Sequence, residues 1–323
     1  MRDVLIVGAG PIGIASGIAA KRRDLDAVLV EQGAMVNSLV HYPTDLEFFS
    51  TPDLLEIGGH PFPTRGPKPV RAEAIEYYTK VARREDLDVR LYERVEGVDG
   101  EQGDFTVRTE EGVHRTRNVV VATGFFEKAN LMEVPGEELS KVVHYYKEPY
   151  PYIGQKVAVI GARNSAAKVA LDCHRHGAEV TLVHRGPEIS EKVKYWIKPD
   201  LENRIAEGSI EAYFDTEVCR IEEDAIYLEG PDGPFSLEND WVLAMTGYKP
   251  DLAFLEELEI ELRDDEHRTP VFDEDTMETN REGIYLAGVI CGGLQTHRLF
   301  IENSRIHARR IMHHIATGAP VAA

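Results

Sequence analysis

The sequence predicts an α/β chain of two doubly wound units with parallel sheets, the second inserted into the first, and three observations carry that prediction. First, VLIVGAGPIG at Val4–Gly13 returns as VAVIGARNSA at Val157–Ala166. At the same spacing, AVLVEQG at Ala27–Gly33 returns as VTLVHRG at Val180–Gly186. Two matches in register describe a duplicated unit rather than a chance hit. Second, each copy reads as a short apolar strand, a glycine turn, an alanine-rich helix and another apolar strand, the opening of a parallel sheet. Third, the later apolar runs Val119–Gly124 (VVVATG), Trp241–Gly247 (WVLAMTG) and Gly283–Gly288 (GIYLAG) supply strands that end in small residues.

Composition bounds the answer. The 323 residues suit two domains of ordinary size, and 43% hydrophobic with 28% charged residues is globular. No apolar run approaches the roughly 20 residues that cross a bilayer, and a first strand at Val4 leaves no room for a signal peptide, so a soluble cytoplasmic protein is expected. The formal charge of −20, from 56 acidic and 36 basic residues, repels phosphate backbones and anionic membranes, which argues against nucleic-acid and membrane partners. Cys173, Cys219 and Cys291 form neither a CxxC pair nor a metal-ligand cluster, and no metal is expected.

In the first turn Gly8 permits the tight bend, Gly10 lets backbone approach a pyrophosphate across Pro11 and Ile12, and Gly13 lets helix and strand pack closely. The phosphate meets free amides at the positive end of the helix. Glu31 ends the next strand, before Gln32, where a carboxylate accepts hydrogen bonds from the ribose of FAD or NAD. In the second copy Gly161, Asn164, Ser165 and Ala166 keep the turn, Arg163 replaces the middle glycine, and His184 with Arg185 replaces the ribose acid. A cation in that place favours a 2′-phosphate, hence NADPH; a solvent-facing arginine is the other reading. Lys192, Lys194 and Lys198 either add phosphate contacts or form a solvated helix face. Thr123 and Gly124 are expected beside FAD, and Thr246 and Gly247 beside NADPH. Pro149 and Pro151 mark a loop.

Gly288 and Val289 follow a further strand. Beyond them Leu299–Ile315 has apolar residues at helical spacing, with a start expected near Thr296 and His297, whose positive end would face a reduced flavin. The order of parts makes residues 1–126 and 248–323 an FAD domain and 127–247 an NADPH domain, both Rossmann-like.

Over essentially its whole length the sequence resembles the low-molecular-weight thioredoxin-reductase-like flavoproteins. Within them it resembles the bacillithiol disulfide reductases of the YpdA type, through Tyr42–Gly58 (YPTDLEFFSTPDLLEIG), Gly161–Ala166 (GARNSA), Val193–Arg204 (VKYWIKPDLENR) and Ala287–Gly293 (AGVICGG). The resemblance implies tightly held FAD, with Ser38 and Tyr42 among its contacts, NADPH as donor, a homodimer or larger homo-oligomer, and the disulfide of a small thiol as substrate. His41, Phe48 and Phe49 in that segment either line the flavin or simply pack. The chain departs from the pattern at three places. His144-Tyr145-Tyr146-Lys147-Glu148 stands where thioredoxin reductases carry their dithiol, Ile12 where the closer group carries a cysteine, and Val289 where an aspartate is common.

The expected chemistry is hydride transfer from NADPH to FAD and onward to the disulfide. Cys291 is a candidate for a mixed disulfide, since a thiol at a helix start has its thiolate favoured; an inert buried cysteine is the alternative. His144 is a candidate acid or gate by position. Other readings are reduction of a ferredoxin or flavodoxin carrier, a flavin monooxygenase, for which no FxGxxxHxxx signature lies between the two glycine motifs, and a non-catalytic redox sensor.

Overall fold

A computed structural model describes residues 1–321, which fall into two compact units: residues 1–128 with those from 248 onward, and residues 129–247. In the first unit β1 (Arg2–Val7), β2 (Ala27–Glu31), β3 (Asp88–Leu91), β4 (Val95–Asp99), β5 (Phe105–Thr109) and β6 (Gly112–Val121) form one sheet in the order β3-β2-β1-β6-β5-β4. The run Val4–Val7 shows no polar alternation because β1 is a central parallel strand, covered on both faces and almost wholly buried.

β6 works in two halves. Its first half pairs antiparallel with β5, Thr116 opposite Phe105, and is largely exposed. Its buried second half, Val119–Val121, lies parallel between β1 and the strand Ile284–Leu286. Residues from near the end of the chain therefore complete the first sheet. The helix Pro11–Lys21 follows β1 with proline in its first turn and small residues (Gly13, Ala15, Gly17, Ala20) that let it lie close among its neighbours.

The second unit repeats the scheme. Glu211–Tyr213, Glu179–Val183, Lys156–Ile160, Trp241–Ala244 and Val142–Val143 form a parallel sheet in that order, and the helix Asn164–Arg175 connects two of its strands. A three-stranded antiparallel sheet, Glu217–Ile221, Ala225–Gly230 and Gly233–Glu238, joins it. The buried Lys141 ammonium donates to the carbonyls of Glu222, Glu223 and Asn239 and to Asn239 Oδ1 at 2.8–3.0 Å, so its charge is fully solvated by protein oxygens.

Three local expectations change. The C-terminal helix spans Ile301–Thr317 and begins later than its apolar spacing suggests. Asn303 Oδ1 accepts the Phe300 N–H at 2.7 Å while its Nδ2 donates to Arg298 O at 3.0 Å, which sets the cap at Phe300. Thr296 is left in the preceding turn, its amide on Leu294 O. Of the three lysines only Lys198 is helical, in Lys198–Ala206, and it pairs with Glu191 and Glu202. The Pro149 and Pro151 segment holds a short 3₁₀ turn, Tyr150–Tyr152. Among the described residues no helix is long and apolar enough to cross a membrane, and no group of three or more His, Cys, Asp or Glu is placed to hold a metal ion.

Candidate functional site

In the first unit a cleft of about 1190 Å³, counting its open mouth, lies at the carboxyl ends of β1 and β6, where the strand order reverses. Gly8, Gly10, Pro11, Ile12, Glu31, Gln32, Ser38, Tyr42, Thr123, Gly124, Gly288 and Val289 all line it. Gly13 stands behind the turn, and Thr296, His41, Phe48 and Phe49 lie outside the lining. Gly8 has φ +106°, and a Cβ on it would sit 2.7 Å from Ala122 O, whereas a Cβ on Gly10 would meet nothing within 4 Å. The bend is thus closed on the protein side and open on the cleft side. The first helical hydrogen bond runs from Ile14 N to Gly10 O, so the amides of Ile12 and Gly13 precede the ladder and favour an anion.

The Glu31 carboxylate, 8% exposed, accepts the amides of Ala9 (2.8 Å) and Gly33 (3.0 Å), which fixes it against the cleft. Burial pushes its pKa above the ordinary value, and the two amides oppose that rise. Among the described residues the buried Thr123 Oγ1 has no hydrogen-bond partner, a polar group left for a bound molecule to satisfy. A turn open to a pyrophosphate, a fixed acid for a ribose and an unsatisfied hydroxyl together fit a dinucleotide such as FAD. Burial pushes the Tyr42 hydroxyl up to about 12, and its ring meets Phe126 edge-on at 4.6 Å. Ile301 and Ser304 bring the start of the C-terminal helix to the cleft, in the role expected of Thr296.

Sequence reading missed Asn37, Glu93, Arg94, Phe126, Glu127, Asp251 and Ser304 in this lining. They come from strand ends and loops with no local pattern. Position just after a recognised strand, as Phe126 and Glu127 follow VVVATG, is the one signal the sequence offers for them.

Of the two readings of Cys291, the geometry fits the buried cysteine. It lies in a 3₁₀ turn, Val289–Gly292, is 3% exposed, and burial raises its thiol well above the ordinary range, so the thiolate is disfavoured. Its nearest polar partner, His307 Nδ1 at 3.8 Å, accepts the Gly288 N–H at 3.1 Å and is pulled down to about 4 by burial. A neutral imidazole cannot hold a thiolate by charge.

In the second unit a comparable cleft is lined by Gly161, Arg163, His184, Arg185 and Thr246. Asn164, Ser165, Ala166 and Gly247 are not in its lining. Asn164 instead donates to Lys192 O and accepts the Lys194 amide, each at 3.0 Å, and so ties the Lys192–Lys194 backbone to the helix start. Ala166 is fully buried. His184 is held below its ordinary pKa by burial, then by Arg185 and Arg163. Two permanent cations beside a neutral imidazole suit a phosphate dianion. In the segment where a dithiol would stand, the buried Tyr146 donates to Asp172 Oδ2 at 2.6 Å, and His144 Nε2 lies 3.4 Å from Glu137 Oε1. Tyr146 thereby belongs to the core of the second unit.

Comparison with known proteins agrees with this geometry. A family model described as pyridine nucleotide-disulphide oxidoreductase matches residues 5–288. The chain is 41% identical over 314 residues to bacilliredoxin reductase Bdr of Bacillus subtilis (strain 168), covering 97% of each. Among solved structures it is similar to bacillithiol disulfide reductase Bdr (YpdA) from Bacillus cereus, with a TM-score of 0.95 and 40% identity over 98% of this chain and 99% of that one. It is similar also to the Staphylococcus aureus protein of that description, with a TM-score of 0.94 and 36% identity over 98% of each chain. By sequence, fold and cleft alike, the chain belongs to the pyridine nucleotide-disulphide oxidoreductase family, and within it to the Bdr reductases.

Proposed function

We propose that this oxidoreductase uses NADPH and FAD to reduce a low-molecular-weight disulfide, with bacillithiol disulfide, the compound its relatives are described by, as substrate. The observation that supports this most directly is the pairing of two unlike cradles on one chain. The first has a buried acid, Glu31, at the ribose position; the second has His184 there with Arg185 beside it, and Arg163 in the glycine turn, so that no acid stands against a 2′-phosphate at that position. In this reading residues 1–126 and 248–323 hold FAD and residues 127–247 hold NADPH, in a cytoplasmic homodimer or larger homo-oligomer, which light scattering checks.

When bound, FAD supplies a carrier that takes hydride from the nicotinamide and passes two electrons to the disulfide, which leaves as two thiols. The protein binds and orients. Ile12, Gly13 and the start of the C-terminal helix direct amide dipoles into the first cleft, Glu31 fixes the ribose, and Tyr42 with Phe126 covers part of the wall. Anaerobic NADPH should bleach the flavin of the purified protein in a stopped-flow trace, and bacillithiol disulfide should restore the colour. Absence of bleaching sinks the reading; recovery with ferredoxin but not with the disulfide redirects it to a carrier reductase.

None of the three cysteines is in the lining of either cleft; Cys173 and Cys291 are buried and Cys219 is exposed. The disulfide is therefore reduced without a thiol relay from Cys291. Cys291→Ser is expected to retain disulfide reductase activity, and iodoacetamide should label Cys219 but not Cys291 in the native protein. Loss of turnover in that variant, with flavin content unchanged, would return Cys291 to the mechanism.

A further inference from the structure

A second concavity of the first unit lies between the helix Pro11–Lys21 and the C-terminal helix, closed on one side by residues 56–59. Its floor is made of small and aliphatic side chains, Ala15, Ile18, Ala19, Ile57 and Ala308, and its rim carries Arg22, Arg23, Arg305 and Arg309 against one carboxylate, Glu56. The cleft encloses about 820 Å³, counting its open mouth.

The guanidiniums differ in what they touch. Arg22 reaches Glu85 at 3.5 Å. Arg305 donates to the carbonyls of Asp53 (2.9 Å) and Glu56 (2.8 Å), and Arg23 to Ala19 O (3.3 Å), so both are oriented by neutral oxygens and keep their full charge. Among the described residues Arg309 makes no side-chain hydrogen bond or ion pair. Glu56 spends one oxygen on the Phe62 amide at 3.0 Å and pairs with none of the four arginines. Three arginines without an ion pair among the described residues thus line one cavity that holds a single carboxylate, Glu56, in a chain whose acidic residues outnumber basic ones by 20. Among the described residues Arg163 and Arg185 likewise form no ion pair, in a cleft that Glu217 also lines and where an external phosphate is the expected counter-ion. Guanidinium forks match carboxylate and phosphate oxygens two at a time, and the apolar floor accepts the carbon skeleton between anionic groups.

We infer that this arginine-lined cleft binds a small molecule bearing two or more carboxylate or phosphate groups. The cleft is separate from both nucleotide cradles in its lining, although both of its helices begin at the first one. Because Arg309 is exposed, binding weakens as salt rises.

The test uses flavin-loaded protein in an Arg185→Ala background, which removes a competing cation from the second unit. Titration calorimetry at low ionic strength uses citrate as the carboxylate probe and inorganic phosphate as the phosphate probe. One site per chain is expected for at least one probe, and the tighter probe identifies the anionic group recognised. Arg23→Ala combined with Arg309→Ala should weaken it by about tenfold or more. Both side chains are free of ion pairs, so the fold does not depend on them. Arg309→Glu, as a second variant, should abolish binding. Absence of saturable binding by either probe, or equal affinity in both variants, overturns the inference. So does a change of light-scattering mass in Arg309→Glu, which would mean that the cleft seats another copy of the chain.

Discussion

Gly13→Ala should yield a colourless, destabilised protein. The added Cβ would stand 2.0 Å from the carbonyl oxygen of Gly8, a backbone atom that can yield only if the turn itself opens. Overpacking a well-packed site costs about 1–3 kcal/mol, and here the displaced atoms belong to the cradle, so the flavin-to-protein absorbance ratio should fall by more than about tenfold. Gly10→Ala is the informative partner. Its Cβ meets no protein atom within 4 Å and projects toward the cleft. That variant should unfold thermally at the wild-type temperature when stripped of flavin, yet bind added flavin more weakly. A Gly10→Ala protein with undiminished flavin affinity would show that the cleft does not press against its cofactor at this turn.

The second large effect belongs to the other unit. Arg163→Ala with Arg185→Ala removes both cations from the lining of the second cleft. A hydrogen bond to a charged group contributes about 1.5–3 kcal/mol, and the exposure of Arg185 discounts that toward the lower end. The double variant should raise KM for NADPH on the order of a hundredfold with kcat nearly unchanged. KM for NADH should rise far less, through the loss of Arg163 at the glycine turn alone, because NADH lacks the 2′-phosphate that Arg185 is placed to meet. Steady-state ratios for the two donors decide it, and an equal rise for both would assign the arginines to the shared pyrophosphate.

The parts legible in the sequence are those written in consecutive residues. A strand, a glycine turn, a helix and a second strand occupy one stretch each at Val4–Gly33 and Val157–Gly186, and both duplicated units have that form in the structure. Where a property depends on what other segments place around a residue, the sequence is silent or misleading. Cys291 reads as a thiol at a helix start, yet it sits in a buried turn whose one polar neighbour is an uncharged imidazole. The C-terminal helix begins at Ile301 because Asn303 folds back onto Phe300 and Arg298, a cap that apolar spacing does not reveal. Glu93 and Arg94 reach the first cleft from before the inserted unit and Asp251 from after it, and no local motif marks them.

The pairing of Ile284–Leu286 with Val119–Val121 sets a schedule for synthesis. A nascent chain with its first two hundred residues outside the ribosome still lacks one neighbour of the buried half of β6, and the start of the C-terminal helix that lines the first cleft. Contacts between such distant segments form slowly and leave apolar edges waiting for partners. The inserted unit, by contrast, has all its strands between Val142 and Ala244 and can mature while the ribosome is still translating the C-terminal segment. Cofactor capture by the outer unit is thereby postponed until the last quarter of the message has been read. A premature stop near residue 280 should leave a protein able to recognise a nicotinamide nucleotide but unable to acquire colour.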